Sequence, residues 1–302
     1  MRSPTRSRVT TAVRVRLPFD ADGLLWYLRI RAVPEVEVVT ETGYRRTLRL
    51  PGGPSVLGLD FDASADVAVT LDLTDPADED TALNLVRRLL DVDADPMAID
   101  ARLAADPALT ARVAAIPGIR VPGMVDGEEI IVRTILGQQV SVAAARTAAG
   151  KLTARVGSAM PPGLSTPGLT RLFVSPDELA RLTADEIGGP RRRAGTLVAA
   201  ARDLADGTLV VAPGRDPAQL TAELVARPGI GPWTAQYIAM RVLGEQDELL
   251  TGDLALRTGA SRLGLPDTPR ELAAHGTRWA PYRSYAGQHL WRASRLPATP
   301  DL

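Results

Sequence analysis

The stretch LVARPGIGPWTAQY at residues 224–237 is followed a few residues later by LLTGDLALR at residues 249–257. At its centre is a Pro-Gly-Ile-Gly-Pro turn, in which Gly229 and Gly231 lack a Cβ, accept positive φ and let another surface approach closely. Pro232 suits the first position of a new helix. The free N–H groups at the start of that helix point outward and favour a phosphate. The stretch therefore predicts two helices joined by a tight, anion-binding turn.

Three motifs together carry a resemblance to a known family. PGIGPWTAQY, with Thr251-Gly252-Asp253 downstream, resembles the helix-hairpin-helix, Gly/Pro-rich loop and aspartate of the HhH-GPD DNA glycosylase superfamily. ILGQQVS at residues 135–141 and PYRSYAGQHLW at residues 281–291 narrow the resemblance to the 3-methyladenine glycosylase II branch, the AlkA-like enzymes. A lone PGIG turn recurs by chance, but three motifs in the family's order, over nearly the whole chain, are a specific signal.

The predicted fold class is α+β, with a small N-terminal unit at residues 1–76. Short β-branched segments bounded by Gly or Pro predict strands there, and residues 22–30 have helical spacing. The resemblance implies a small antiparallel sheet with a flanking helix. The first 16 residues are rich in Arg, Ser and Thr without an acid, as in a transit peptide, but their valines alternate with arginines and favour a strand. The strand candidates are residues 8–17, 36–40, 44–50, 55–61 and 66–73.

Residues 77–302 are predicted to be helical, with Gly or Pro in nearly every gap. The resemblance implies that this region forms the all-α helix-hairpin-helix glycosylase domains, with the hairpin at about residues 224–243. The helix candidates are residues 82–90, 97–104, 128–155, 176–185, 191–205, 217–227, 233–243, 254–263, 270–274 and 281–294.

Composition limits the class of protein and the kind of site. The chain is 45% hydrophobic and 24% charged, and it has no secretory segment and no apolar run of about 18 residues, so a membrane role is not expected. It contains no cysteine, which excludes disulfides, iron–sulfur clusters, thiolate zinc sites and a cysteine methyl acceptor. His275 and His289 lack metal-ligand spacing. With a net charge of −1, any DNA contact must be a local patch.

Asp253 is the predicted catalytic residue. Hydrolysis of an N-glycosidic bond passes through an oxocarbenium-like sugar, which a carboxylate stabilises while it orients or deprotonates the attacking water. An Asp before Leu-Ala-Leu is also a good helix N-cap. The hairpin upstream, at the spacing of the family, favours the catalytic role, and both roles can coexist.

The resemblance implies an aromatic base pocket formed by Tyr27, Trp233, Tyr237 and Trp291. Trp233 and Tyr237 are one helical turn apart and share a face. Without the resemblance, an aromatic core would be the simpler interpretation. Electron-rich ring faces attract a flat cation such as an alkylated purine, so such a pocket implies a broad range of damaged bases.

Two residues of the predicted pocket depart from the pattern of the family. Leu254 and Arg292 stand where the best-known members carry tyrosines beside the catalytic aspartate and beside the last tryptophan. The pocket is therefore less aromatic, and an inward-pointing Arg292 would disfavour a cationic base.

The remaining predicted contacts concern the DNA backbone. Gly229, Gly231 and the Thr234 hydroxyl should hold one phosphate. The resemblance makes Gln139 the wedge that fills the hole left by a flipped nucleotide; taken alone it would be a surface residue of a long helix. The resemblance also implies a structural Na⁺ or K⁺ ion, bound by three backbone carbonyls, and no catalytic cofactor. Those carbonyls are at Val225, Arg227 and Ile230. The triplet at residues 191–193 is either a solvated face or a DNA-facing patch.

These features predict a monofunctional DNA glycosylase that excises alkylated purines and leaves an abasic site. Its partner is double-stranded DNA containing alkylated bases, and a monomer in the cytoplasm, associated with the nucleoid, is expected. The alternatives are a helix-hairpin-helix module that binds damaged DNA without excision, and an oxidised-purine glycosylase with lyase activity. Lyase members carry a lysine where this chain has Trp233, and its only lysine, Lys151, follows Gly150 near the far end of the helical run that contains ILGQQVS.

Overall fold

A computed structural model of the chain describes residues 6–61 and 65–296. The α+β fold class is confirmed, because an antiparallel sheet is followed by a helical region. Residues 1–5, which begin the segment similar to a transit peptide, and residues 297–302, which end the predicted helical region, lie outside the described residues.

The sheet has five antiparallel strands in the order β1-β5-β4-β3-β2. A strand is present at every predicted position, and the first, Ser7–Arg14, pairs along its whole length with the last, Asp66–Leu73. The valine alternation explains this pairing, because Val13 is buried while its neighbour Arg14 is exposed. The strands are β1 (Ser7–Arg14), β2 (Glu37–Val39), β3 (Gly43–Leu50), β4 (Gly53–Asp60) and β5 (Asp66–Leu73).

The helix α1 (Ala21–Arg31) packs on this sheet and carries the first pocket residue, Tyr27. It begins at Asp20, whose carboxylate accepts a hydrogen bond from the Gly23 N–H at 3.1 Å. Leucines at helical spacing, such as Leu24 and Leu28, are buried in the core of the sheet.

Thirteen further helices follow within the described residues. They are α2 (Glu79–Leu90), α3 (Pro96–Ala104), α4 (Pro107–Ala115), α5 (Gly127–Leu136), α6 (Val142–Val156), α7 (Pro176–Ala180), α8 (Ala184–Ile187), α9 (Arg191–Ala205), α10 (Pro217–Val225), α11 (Pro232–Leu243), α12 (Leu254–Arg262), α13 (Pro269–Gly276) and α14 (Arg283–Ala293). In this part of the chain no helix combines the length and the apolar character needed to cross a membrane.

The prediction of one continuous helix at residues 128–155 is wrong. Two helices form there, because α5 ends at Leu136 and α6 begins at Val142. Gln139 has a φ of +58°, which no helix interior allows. Ser141 then caps α6 by accepting a hydrogen bond from the Ala144 N–H at 3.2 Å. Residues 137–141 form a turn between the two helices, called the wedge turn below.

Two other helix predictions were incomplete. Residues 176–185 form two short helices, because Thr183 and Glu186 build a capping box that starts α8. The helix α4 was not predicted, since only Leu109 and Val113 give its sequence an apolar face.

The hairpin helix α11 lies between two helical cores. Ala235 and Ile238 pack into the core formed largely by α5, α6, α9 and α10. Met240, on the opposite side, packs into the core formed largely by α3, α4 and α12–α14. Tyr237 contacts both cores. These contacts hold α11 at the junction between the two helical cores, where a cleft opens.

The predicted division of the chain at residues 76 and 77 stays a prediction. The last strand ends at Leu73, and a short 3-10 turn at Pro76–Asp78 leads into α2. Because Leu85, Val86 and other residues of α2 pack into the core of the sheet, the first helix after the boundary is held by the N-terminal unit.

Candidate functional site

A cleft of about 1550 Å³ opens where α1, the wedge turn, the hairpin, α12 and α14 meet. Among the described residues, the charged side chains that line it are arginines, apart from Glu37 and Asp253. Two of these arginines are neutralised in a buried network with Glu37 and Glu129. The local positive patch that a nearly neutral chain needs for DNA is therefore present in this cleft. The arginines are Arg31, Arg46, Arg133, Arg146, Arg192, Arg193 and Arg241.

Asp253 is the N-cap of α12 and lines the cleft. Its Oδ1 atom accepts a hydrogen bond from the Leu256 N–H at 2.8 Å, as a capping carboxylate does. The same Oδ1 atom accepts a second hydrogen bond, from Trp291 Nε1 at 3.0 Å. The two bonds fix the orientation of the carboxylate. Its Oδ2 atom makes no hydrogen bond within the described part of the chain.

The aromatic residues predicted for the pocket converge beside Asp253. The Trp233 and Tyr237 rings stack with centroids 5.4 Å apart and planes 14° apart. Trp291 meets Tyr237 edge-on, with centroids 6.4 Å apart. The hydroxyl of Tyr27, on α1, lies 3.3 Å from that of Tyr237. The structure thus brings four predicted pocket residues, from three distant segments, to one wall of the cleft.

Arg241 belongs to the same wall and was missed by sequence reasoning. Its side chain is 1% exposed, and its Cζ atom lies 4.8 Å, 5.1 Å and 5.8 Å from the ring centroids of Tyr27, Tyr237 and Trp291. A hydrogen bond from Nη1 to the Pro122 carbonyl at 2.9 Å holds the guanidinium. Its spacing, one helical turn after Tyr237, was the available signal. Cation–π contacts with the buried Arg241 guanidinium therefore hold the three rings in place.

The two tyrosine hydroxyls of the pocket have opposite pKa shifts. Burial raises the pKa of Tyr27 to about 12. Burial also acts to raise the pKa of Tyr237, but the positive charges of Arg241 and Arg31 outweigh it and lower this pKa to about 8.

Leu254 and Arg292, the two departures from the family pattern, have different positions. Leu254 is the first residue of α12, is 71% exposed and lies at the mouth of the cleft. Arg292 does not line the cleft, because its Nη2 atom is held 2.5 Å from Asp20 Oδ2 at the start of α1. The condition under which Arg292 would disfavour a cationic base, a side chain that points into the cleft, is therefore not met.

The hairpin turn has the predicted form at Gly229 but not at Gly231. Gly229 has a φ of +88°, and a Cβ at this position would overlap Thr196 of α9. Gly231 has a φ of −89°, which any residue adopts, and a Cβ there would meet nothing within 4 Å. No side chain among the described residues caps α11, so the N–H groups of its first turn are free for a ligand.

Thr234 is 3% exposed, and its hydroxyl is engaged within the protein. Gln138, in the wedge turn, donates from Nε2 to Thr234 Oγ1 at 3.2 Å and to the Gly229 carbonyl at 3.0 Å. The Thr234 hydroxyl accepts this bond and keeps its own O–H as a donor, so the phosphate contact predicted for it stays a prediction. Gln139, the next residue, is exposed at the tip of the wedge turn and lines the cleft.

The arginine triplet at the start of α9 is split by the structure. Arg191 lies 3.8 Å from Asp185, in an exposed ion pair outside the cleft. Arg192 and Arg193 line the cleft beside the hairpin, and Arg193 Nη1 donates to the Gln138 carbonyl at 3.0 Å. Two of the three arginines thus face the surface on which a DNA backbone would lie.

The predicted cation ligands lie on the segment that joins α10 to the hairpin turn. Val225 is the last residue of α10, where helix carbonyls lack intrahelical partners and the helix dipole is negative. The Arg227 carbonyl accepts a hydrogen bond from the Ile230 N–H at 3.1 Å. A carbonyl has two lone pairs, so this bond leaves room for a cation.

His289 should make stability depend on pH. It is fully buried on α14, both ring nitrogens lack a hydrogen-bond partner in the described structure, and burial with Arg112 and Arg292 nearby lowers its pKa to about 3. The unfolded chain binds this proton below pH of about 6.5, so acid favours unfolding.

Between pH 7 and pH 5 the unfolding free energy of the wild type should fall, and His289 should account for about 2 kcal/mol of that fall. We therefore expect the His289→Leu variant to lose about 2 kcal/mol less than the wild type over this range. Urea unfolding of both proteins at the two pH values measures this. Equal losses in the variant and the wild type would contradict the assignment.

Two family models match the chain in succession. Residues 10–126 match the AlkA N-terminal domain, and residues 132–281 match the HhH-GPD superfamily of base excision DNA repair proteins. The chain is 33% identical over 280 residues to DNA-3-methyladenine glycosylase 2 of Escherichia coli, with 91% of this chain and 94% of that protein covered. The chain therefore belongs to the DNA-3-methyladenine glycosylase 2 family, within the HhH-GPD superfamily.

Two further relatives agree with this family. A probable bifunctional transcriptional activator/DNA repair enzyme AlkA of Mycobacterium tuberculosis is 44% identical over 297 residues. That match covers 98% of this chain and 59% of the relative, so the chain spans little more than half of that protein. The solved 3-methyladenine DNA glycosylase of Archaeoglobus fulgidus superposes with a TM-score of 0.79 at 19% identity, covering 95% of this chain and 98% of the other, which shows the shared fold.

Proposed function

We propose that this protein is a monofunctional DNA glycosylase that hydrolyses the N-glycosidic bond of alkylated purines in double-stranded DNA. The observation that carries the proposal is the Asp253 carboxylate. Its orientation is fixed through Oδ1, and its Oδ2 atom is free beside the aromatic wall of an arginine-rich cleft. The membership of this chain in the DNA-3-methyladenine glycosylase 2 family supports the same reaction, since the E. coli relative is named a DNA-3-methyladenine glycosylase.

Binding would begin at the DNA backbone. The uncapped first turn of α11 offers N–H groups to one phosphate, with the helix dipole adding to the attraction. Arg192, which makes no ion pair among the described residues, lies beside it on the same cleft. These contacts position the duplex without reading its sequence.

Extrusion of the damaged nucleotide would follow. Gln139 projects from the wedge turn and would enter the stack, where its amide can pair with the base left behind. The extruded base would rest against Trp233 and Tyr237, whose stacked faces attract an electron-poor, alkylated purine. Because the pocket would select a base by its positive charge, the enzyme would accept a broad range of alkylated purines, chiefly 3-methyladenine-like lesions.

Bond cleavage would depend on Asp253. As the bond from C1′ to the base nitrogen breaks, positive charge grows on the sugar, and the free Oδ2 atom stabilises it. A water molecule oriented by the same carboxylate then adds to C1′, and the products are the free base and an abasic site. The Trp291 hydrogen bond keeps the carboxylate aimed at the cleft during both steps.

A monovalent cation, Na⁺ or K⁺, would support the hairpin and take no part in the chemistry. The carbonyls of Val225, Arg227 and Ile230 fit it by charge, since they lie on the segment after the C-terminal end of α10. A cation there would screen the approaching phosphate from the negative end of that helix.

The same site predicts that the enzyme cleaves the glycosidic bond and never the strand. Lyases of this superfamily attack C1′ with a lysine amine; here Trp233 lies in the cleft, and the only lysine, Lys151, is exposed on α6 and does not line it. Borohydride reduction during turnover should trap no protein–DNA adduct, and the product strand should break only under added alkali.

Two results would distinguish the rival functions. An adduct that disappears in Lys151→Ala would overturn the monofunctional assignment and favour an oxidised-purine lyase. Retention of DNA binding without any alkali-sensitive product, over a panel of alkylated duplexes, would favour a module that only binds damaged DNA.

A further inference from the structure

The wedge turn is tied to the hairpin by one side chain. Gln138 Nε2 donates to the Gly229 carbonyl at 3.0 Å and to Thr234 Oγ1 at 3.2 Å. A carbonyl only accepts, so the amide nitrogen must face Gly229. These acceptors lie on the two sides of the turn that would hold the phosphate. The two acceptors lie 91 and 96 residues after Gln138 in sequence, so this side chain joins the wedge turn to the distant hairpin.

The backbone of the wedge turn is strained and depends on such ties. Gln139 has a φ of +58°, in the left-handed region that costs energy for a residue with a side chain. Arg193 adds a third tie, since its Nη1 atom donates to the Gln138 carbonyl at 3.0 Å. Gln138 is half-buried, whereas Gln139 is exposed. One glutamine thus anchors the turn, and the other projects from it.

We propose that Gln138 is a positioning residue that couples phosphate binding at the hairpin to insertion of Gln139 into the duplex. Because hydrogen bonds from Gln138 tie the wedge turn to the hairpin, a phosphate held at the hairpin would fix where Gln139 meets the base stack. In this role Gln138 acts through Gln139 and not by contact with the reacting sugar. This inference rests on the proposed function, since it concerns the extrusion step.

The test compares Gln138→Leu, Gln139→Ala and the double variant in single-turnover excision of hypoxanthine. The lesion is placed opposite cytosine, where it is paired, or opposite a tetrahydrofuran abasic analogue, where it is not. We expect Gln138→Leu to lose about 10-fold on the paired lesion, the usual scale for two lost hydrogen bonds, and less than about 3-fold on the unpaired one.

The double variant carries the decisive information. If Gln138 acts only through Gln139, then adding Gln138→Leu to Gln139→Ala should cause no further loss. Losses that multiply in the double variant, or equal losses on paired and unpaired lesions, would show a merely structural role and overturn the proposal. Gln138→Glu, which keeps the shape but cannot donate when ionised, should behave like Gln138→Leu.

Two controls separate this proposal from other failures. Gln236→Leu removes a glutamine amide that donates to Glu248 at 3.2 Å, away from the cleft, and should leave excision unchanged. Extrusion is also read without cleavage, by the fluorescence of 2-aminopurine next to the lesion in an Asp253→Asn background. If the wild type releases no base either from the hypoxanthine duplexes or from methylated duplex DNA, the proposed function fails, but a weaker fluorescence rise with Gln138→Leu would still support the coupling. An unchanged rise would contradict it.

Discussion

Replacing Asp253 by asparagine is expected to lower the single-turnover excision rate by about 10²–10³-fold, the usual effect of removing one group that stabilises transition-state charge. The asparagine oxygen can still accept the hydrogen bonds from the Leu256 N–H and Trp291 Nε1. The cap and the orientation of the side chain should therefore survive, and only the negative charge facing the sugar is lost. Rates on a defined duplex, with DNA affinity measured in parallel, test this.

A matched control comes from another aspartate cap. Asp216 caps α10 by accepting from the Gln219 N–H at 2.7 Å, but it does not line the cleft. Asp216→Asn should leave excision unchanged. If Asp253→Asn retains excision within tenfold of the wild type, Asp253 is only a helix cap and another residue must stabilise the sugar.

Replacing Gly231 by aspartate is expected to change DNA binding and stability in different directions. The position has the extended backbone of a normal N-cap and open space around a Cβ, so the new carboxylate can cap α11. Stability should stay unchanged or rise by up to about 1 kcal/mol. DNA affinity should fall about 10- to 100-fold, because the carboxylate occupies the phosphate position and repels the phosphate.

Gly231→Asn is the matched neutral variant. It caps the same N–H groups without a charge, so it should lose less affinity than Gly231→Asp at low salt, and the difference should shrink as salt screens the charge. Binding titrations at two salt concentrations, with unfolding midpoints, measure both effects. Unchanged DNA affinity in Gly231→Asp would mean that the start of α11 does not hold a phosphate. Gly229 is unsuitable for this test, because its positive φ and its contact with Thr196 make any side chain disruptive.

The elements with strong local signals could be predicted from sequence. The strands alternate in period two, as Val13 beside Arg14 illustrates, and the Pro-Gly-Ile-Gly-Pro turn marks the hairpin. The break between α5 and α6 could not be predicted in this way. Its Ala-rich surroundings favour a helix, and the left-handed Gln139 is held by contacts from Gln138 to residues far away in sequence.

The site was harder to predict than the fold, because side-chain direction is decided by tertiary contacts. Arg292 and Trp291 are neighbours on α14, yet Trp291 bonds to Asp253 in the cleft while Arg292 pairs with Asp20 outside it. Arg241 resembles an ordinary surface arginine in sequence but is buried behind three pocket rings. Helical periodicity places such residues on a helix without showing which neighbours cover them.

The most direct measurement is the identity of the bases released from methylated duplex DNA. Incubation with the wild type, followed by mass spectrometry of the small-molecule fraction, should detect free 3-methyladenine and other methylated purines. Asp253→Asn should release none above the spontaneous background. If the wild type binds this DNA and releases no methylated purine, the proposed glycosylase function is contradicted.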